Sequence, residues 1–305
     1  MRTPMEDMMK EFAEFMKGKE APRDEAERSA LLQEFMQGYN QSLSARVPVT
    51  EKTAQTSEDF LELAENARSR KKRHAYLQKA LELDAGNFDA VIGLAVEMAD
   101  KPLEMIACLR SVVEKAQKLM EAKGYYDKEC IGNFWLIHET RPYMRLLRFH
   151  MEVLASQCRY RCAIEAGKEM LRLCEGDNLG VRYHLVALYA LLQEKEAAEA
   201  LSKEYEEEGT MFLFPMAYMY YLLEEEEKAE EALQGLLECN KDTKKFFSAM
   251  GKLPSSYRPS PYGVTMGSMD EYAECMKYAP GDLYESRAFW EWAKETVKKK
   301  KKTGA

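Results

Sequence analysis

Three observations predict an all-α fold built from repeated helical hairpins. Only 16 Gly and 10 Pro interrupt 305 residues rich in Ala, Leu, Glu, Lys and Met, a composition that favours helix and leaves few strand or turn clusters. Apolar residues recur at i, i+3, i+4 and i+7 along most of the chain, the spacing of one buried helix face. The segments around Ala163, Ala197 and Ala229 also superimpose, at separations of 34 and 32 residues, which marks internal repetition.

The first helix is predicted from Met5, Met8, Met9, Phe12 and Met16, which form one stripe after a Thr3-Pro4 start. A second stripe, Leu31, Leu32, Phe35, Met36 and Tyr39, follows Asp24 as its N-cap. Periodicity is lost over 40–56, where Asn, Ser, Thr, Gln and Pro gather, the composition of a linker. This places an amphipathic helical arm at 1–45 and a linker at 46–56. The arm either docks on the main body or, being Met-rich, serves a partner or a second copy of the chain.

From residue 57 the helices come in pairs. Ser57 is read as a cap for Phe60, Leu61 and Ala64; Ala75, Tyr76, Ala80, Leu81 and Leu83 follow, before the Asp84, Gly86, Asn87 turn. A helix over 88–98 turns Ala90, Leu94 and Ala95 inward, and Pro102 opens a long helix that Lys123 and Gly124 stop. Within the repeats, LYALLQEKEAAEAL from Leu188 matches MYYLLEEEEKAEEAL from Met219, pairing Tyr189 with Tyr220 and Ala197 with Ala229 once one extra residue is allowed. Residues 57–250 are assigned to these repeats, 251–297 to a Pro- and Tyr-rich segment with C-terminal helices, and 298–305 to a disordered basic tail. The apolar run from Met211 to Leu223 reads as a central repeat helix that needs cover on several sides.

A spacing near 34, with small residues such as Ala75, Ala163, Ala197 and Ala229, resembles the tetratricopeptide repeat over residues 57–240. The consensus Trp and Gly of its first helix and the Pro of its closing turn are mostly absent. NFWLIHETRPYMRLL from Asn133, EMLRLCEGDNLGVRY from Glu169 and LPSSYRPSPYG from Leu253 resemble more closely a bacterial tetratricopeptide group without an assigned activity. The suppressor-of-tumorigenicity-7 family is similar at a greater distance. The resemblance implies an α-solenoid of stacked hairpins behind the arm, and no known reaction. Applied to this chain, its motifs select Trp135, Glu139, Thr140, Arg141, Pro142, Tyr143 and Arg145, then Asp177, Asn178, Gly180, Arg182 and Tyr183.

Read as chemistry, Trp135, Arg141, Tyr143, Arg145, Asn178, Arg182 and Tyr183 form a candidate partner-binding set. Arginine offers planar bidentate donors for carboxylates, Asn an amide for a peptide backbone, and Trp or Tyr rigid contact area. The competing expectation is an internal polar network, since a buried arginine must be paired. Asp177, Asn178 and Gly180 also suit an inter-helical turn. Cys158 and Cys162 with His150 and Cys174 only superficially suggest a metal site: no Cys-x2-Cys pair occurs, and small thiols at helix-packing positions are expected instead. The four His, at 74, 138, 150 and 184, lie in no metalloprotease pattern, and there is neither a nucleophile elbow nor a phosphate-binding glycine loop. No enzyme, metal or cofactor is expected.

A net charge of -8 from 44 basic and 52 acidic residues opposes general attraction to nucleic acid or anionic lipid. No run reaches the roughly 18 apolar residues of a spanning helix, the N-terminus lacks a signal-like core, and seven irregularly spaced Cys suit a reducing compartment. A cytoplasmic scaffold or adaptor, binding a peptide or protein on the concave face of a solenoid, is the expectation. Its alternative is a nucleic-acid-associated regulator using the basic run Lys298–Lys302, and self-association through the arm is a further possibility.

Overall fold

In the computed structural model the described residues are 4–20, 22–45, 48–260, 263–279 and 284–299. Among them are fifteen α-helices and no strand; an isolated bridge joins Asn133 and Cys174. None of these helices is long and apolar enough to cross a membrane. The chain divides into two units, Met1–Asp127 with Phe134–Leu146, and Lys128–Asn133 with Leu147–Ala305.

The first unit opens with α1 (Pro4–Met16) and α2 (Glu25–Ala45). Asp24 does cap α2, its Oδ1 accepting from Glu27 N at 2.8 Å. The helix runs five residues beyond Asn40, because Asn40, Gln41 and Ser42 are solvent-facing helical positions and no Gly or Pro stops them. Phe35 and Tyr39 are buried, and the rings of Phe12 and Phe15 pack on Phe35 at 5.0 and 5.5 Å. Leu32, Met36 and Met9 stay exposed, so the inward stripe is narrower than the sequence pattern. Thr3 and the side chain of Met5 lie outside the described residues.

Next come α3 (Ser57–Glu65), α4 (Arg70–Leu83), α5 (Phe88–Val96) and α6 (Pro102–Ala122). The cap of α3 is Thr56 rather than Ser57: Thr56 and Asp59 form a reciprocal capping box. Ser57 is thereby freed for a buried role, donating to Ala80 O and accepting from Asn87 Nδ2, both at 2.8 Å. Asn87 in turn caps α5 through Ala90 N. Ala64, Leu77, Ala80 and Ala90 make the local core. Ala75 and Leu83 face solvent; with Leu77 and Ala80 setting the inward face of α4, Ala75 falls about 200° from Leu77 around the helix.

A 3-10 turn (His138–Thr140) leads into α7 (Arg141–Ser156), which gives residues to both units. The second unit continues with α8 (Tyr160–Leu173), α9 (Val181–Leu192), α10 (Lys195–Glu204), α11 (Thr210–Leu222) and α12 (Glu226–Cys239). Three of its turns are built alike. Cys158, Gln193 and Glu224 take left-handed φ of 56, 57 and 58°. The following N–H groups, of Arg159, Glu194 and Glu225, each reach the carbonyl five residues back at 2.9 Å, the Schellman way of ending a helix. Five residues after each left-handed residue stands an Ala with no exposed surface: Ala163, Ala198 and Ala229.

The true repeat register therefore uses Ala198 where the sequence match used Ala197. Tyr189 with Tyr220, Leu192 with Leu223 and Ala198 with Ala229 then share one offset of 31, and no extra residue is needed. The adjacent Ala197 and Ala198 made the two registers look alike.

The final helices are α13 (Thr243–Ser248), α14 (Met269–Tyr278) and α15 (Arg287–Lys299). They cover the apolar α11, whose Phe214 meets Phe246, Phe247, Tyr272 and Trp290 ring to ring; α11 is a core helix. Glu271 of α14, 2 % exposed, ties the ends together. Its Oε2 accepts from Thr210 Oγ1, Asn240 Nδ2 and Gly267 N at 2.7, 2.9 and 3.0 Å. Lys298 and Lys299 belong to α15 and not to a disordered tail; residues 300–305 lie outside the described residues.

The register makes a discriminating prediction. Ala198→Leu should lower unfolding free energy by about 1–3 kcal/mol through overpacking, and Ala197→Leu by less than about 1 kcal/mol, in urea titrations followed by circular dichroism.

Candidate functional site

The segment before α7 shapes a cleft within the first unit. Thr140, fully buried, bonds through its hydroxyl to the carbonyls of Phe134 and Ile137, which folds 134–140 back against the start of the helix. Arg141 is thus the first residue of α7 and Pro142 the second, the position where a missing N–H costs least. The cleft holds about 300 Å³. Leu61, Phe88, Leu119, Met120 and Pro142 supply its apolar surface, and Glu58, Asp84, Lys123, His138 and Glu139 its polar rim, with Arg141, Arg145 and Asp89 between them.

The two arginines of this cleft are accommodated differently. Arg145 is clamped by Asp89, with Nε to Oδ1 at 2.8 Å and Nη2 to Oδ2 at 2.5 Å; the two side chains are 12 and 6 % exposed. That is the planar, two-pronged pairing a guanidinium favours. Arg141 is 6 % exposed, yet no carboxylate among the described residues lies within ion-pair reach. Its Nε donates to Trp135 O at 2.8 Å, Nη1 approaches Met9 Sδ at 3.7 Å, and the guanidinium lies 5.3 Å from the Trp135 ring. These are dipolar, thioether and π contacts; none supplies negative charge.

Tyr143 is 1 % exposed, its hydroxyl 3.0 Å from that of Tyr126 and its ring near Phe88 and Phe134. It holds the cleft from behind.

The remaining candidates, Asn178, Arg182 and Tyr183, lie in the second unit, at the entrance to α9. Asp177 organises them from a left-handed φ of 41°: Oδ1 accepts from Val181 N at 2.7 Å, and Oδ2 from Arg182 N and Nη1, each at 3.0 Å. Gly180 is the other left-handed residue of this turn, and Asn178 is not one. Arg182 also donates to Glu207 Oε1 and to the Tyr183 hydroxyl, which itself donates to Glu207. Burial pushes the Asp177 carboxyl up despite these donors, and pushes the Tyr183 hydroxyl up to about 12. Arg182 and Tyr183 thus belong to a closed internal network, while Asn178 stays exposed, its Oδ1 3.4 Å from Cys174 Sγ.

Sequence reasoning did not single out the buried partners Asp89 and Glu207, nor Tyr278 of α14, which packs on His184 with ring centroids 4.5 Å apart. Their separation along the chain hides them: Asp89 reads as an ordinary first-turn carboxylate of α5. Burial, with the charge of Arg148 adding to it, holds the His184 imidazole down at about 3. Cys158 and Cys162 are exposed instead of packed between helices, because Cys158 occupies the left-handed turn position. Among the described residues no group of three metal-ligating side chains forms.

The chain matches no family model, no curated protein and no solved structure.

Two predictions follow the second-unit geometry. Arg182→Ala leaves Asp177 buried without its cation and should cost about 2–4 kcal/mol of stability, measured by urea unfolding at neutral pH. Between about 3 and 6.5 the unfolded chain takes up a proton on His184 that the folded chain refuses, so this contribution is complete above 6.5 and is lost as pH falls toward 3. Stability should drop by up to about 1.4 kcal/mol per pH unit there, and His184→Gln should flatten that part of the profile.

Proposed function

We propose that this chain is a non-enzymatic scaffold or adaptor that binds a peptide or protein partner. In this reading the repeated hairpins belong to a tetratricopeptide-like solenoid whose concave face carries the partner. Arg141 and Trp135 are the residues on which binding turns. Arg145, paired with Asp89, keeps the wall of that cleft in shape, while Arg182 and Tyr183 serve the entrance of α9. All seven Cys are free thiols, which suits the cytoplasmic setting of such an adaptor.

One observation carries the proposal: Arg141 lines a solvent-reached cleft, is 6 % exposed, and has no carboxylate partner among the described residues. The cost of burying that charge is relieved when a partner brings an acceptor into the cleft. Nothing comparable points to nucleic acid, since Lys298 and Lys299 end a helix in a chain of net charge -8.

The test is affinity capture from nuclease-treated source extract with the full chain, Arg141→Met, and a chain ending at Val297. A specific polypeptide should be retained by the full and shortened chains and reduced at least about tenfold by Arg141→Met, the loss of one desolvated charged contact, while the variant keeps its helical circular dichroism. Capture that depends on nucleic acid or on residues 298–305, and not on Arg141, would contradict the proposal.

A further inference from the structure

We infer that the group received by the cleft is a single carboxylate carried beside a basic side chain, an amphoteric stretch of polypeptide and not a phosphate; this rests on the scaffold reading above. The donor set gives the first half. Nε of Arg141 is held by Trp135 O and Nη1 by the Met9 thioether. That leaves both N–H groups of Nη2 and the second of Nη1 to donate to incoming oxygens, which a single carboxylate can satisfy with its two atoms.

The charge order of the rim gives the second half. Arg145 and Asp89 cancel each other. What remains is Arg141 and Lys123 against Glu58, Asp84 and Glu139, all lining the same cleft. A phosphate dianion would meet three carboxylates with two cations to offset them, and like charges brought together in a poorly solvated cleft oppose binding. A carboxylate brings one negative charge to Arg141, and a basic neighbour on the same chain answers the acidic rim. The apolar surface of Leu61, Phe88 and Leu119 takes the aliphatic stems of both side chains.

The experiment uses the full chain with its arginine side chains labelled with nitrogen-15, the Arg141 signal being assigned by its absence in Arg141→Lys. The probes, at constant ionic strength, are Ac-Glu-Lys-NH2, Ac-Lys-Ala-OH, Ac-Gln-Lys-NH2 and inorganic phosphate. The two carboxylate peptides should shift the Arg141 signal saturably in the millimolar range, at least about tenfold tighter than the Gln peptide or phosphate, the size of one charge-assisted contact. The tighter of the two tells an acidic side chain from a chain end as the source. Glu58→Gln with Glu139→Gln should narrow the preference over phosphate. Phosphate binding as tight as the peptides, or no saturable shift with either carboxylate peptide, overturns the inference. A probe response as expected alongside partner capture indifferent to Arg141→Met would leave this carboxylate site standing and remove the scaffold reading. Capture that needs Arg141 without any probe response would do the reverse.

Discussion

A guanidinium withdrawn from water keeps its charge, so the fold must answer it with a carboxylate or leave it facing something that arrives from outside. Arg145 and Arg182 take the first course. Asp89 grips Arg145 from α5, and Asp177 with Glu207 grips Arg182 at the entrance to α9. Asp177 also fixes where α9 begins, because both of its oxygens accept from the α9 backbone. Arg141 takes the second course, in a cleft of the first unit where charge and apolar surface meet without being closed off.

The hairpins follow one local plan. In the second unit each repeat ends its first helix with the same left-handed residue and the same backbone bond, and places a bare Ala at the following crossing. Glutamine, glutamate and cysteine fill those left-handed positions, so the turn is imposed by the two helices it joins and not by a glycine. Beyond the repeats, the aromatic layer of α13, α14 and α15 closes over α11, and Glu271 stitches the helix ends beneath it with three hydrogen bonds.

Much of this was legible along the chain. The all-α class, the Asp24 cap, the Pro102 start and the burial of the 211–223 helix all follow from local pattern, since capping, proline and periodicity act within a turn or two. What was hidden depended on distance. Ser57 looks like a cap until Thr56 and Asp59 close their own box; Ala197 and Ala198 are interchangeable until the turn fixes the register. Arg141, Arg145 and Arg182 look equivalent in sequence, and only the arrival of Asp89, 56 residues away, and Glu207, 25 residues away, separates them. The same reasoning explains Tyr143: a Tyr in a motif invites a binding role, but as the third residue of α7 it is buried, its ring packed near Phe88 and Phe134.

Rotation about the Nε–Cζ bond of each arginine, followed by nitrogen-15 NMR of the free full chain, tests this division of labour most directly. The account predicts slow rotation with resolved Nη signals for Arg145 and Arg182, held by carboxylates, and faster rotation for Arg141, whose Nη contact is a weakly accepting thioether. An Arg141 as rigid as the other two in the free protein, or Arg145 and Arg182 rotating as freely as Arg141, would contradict it.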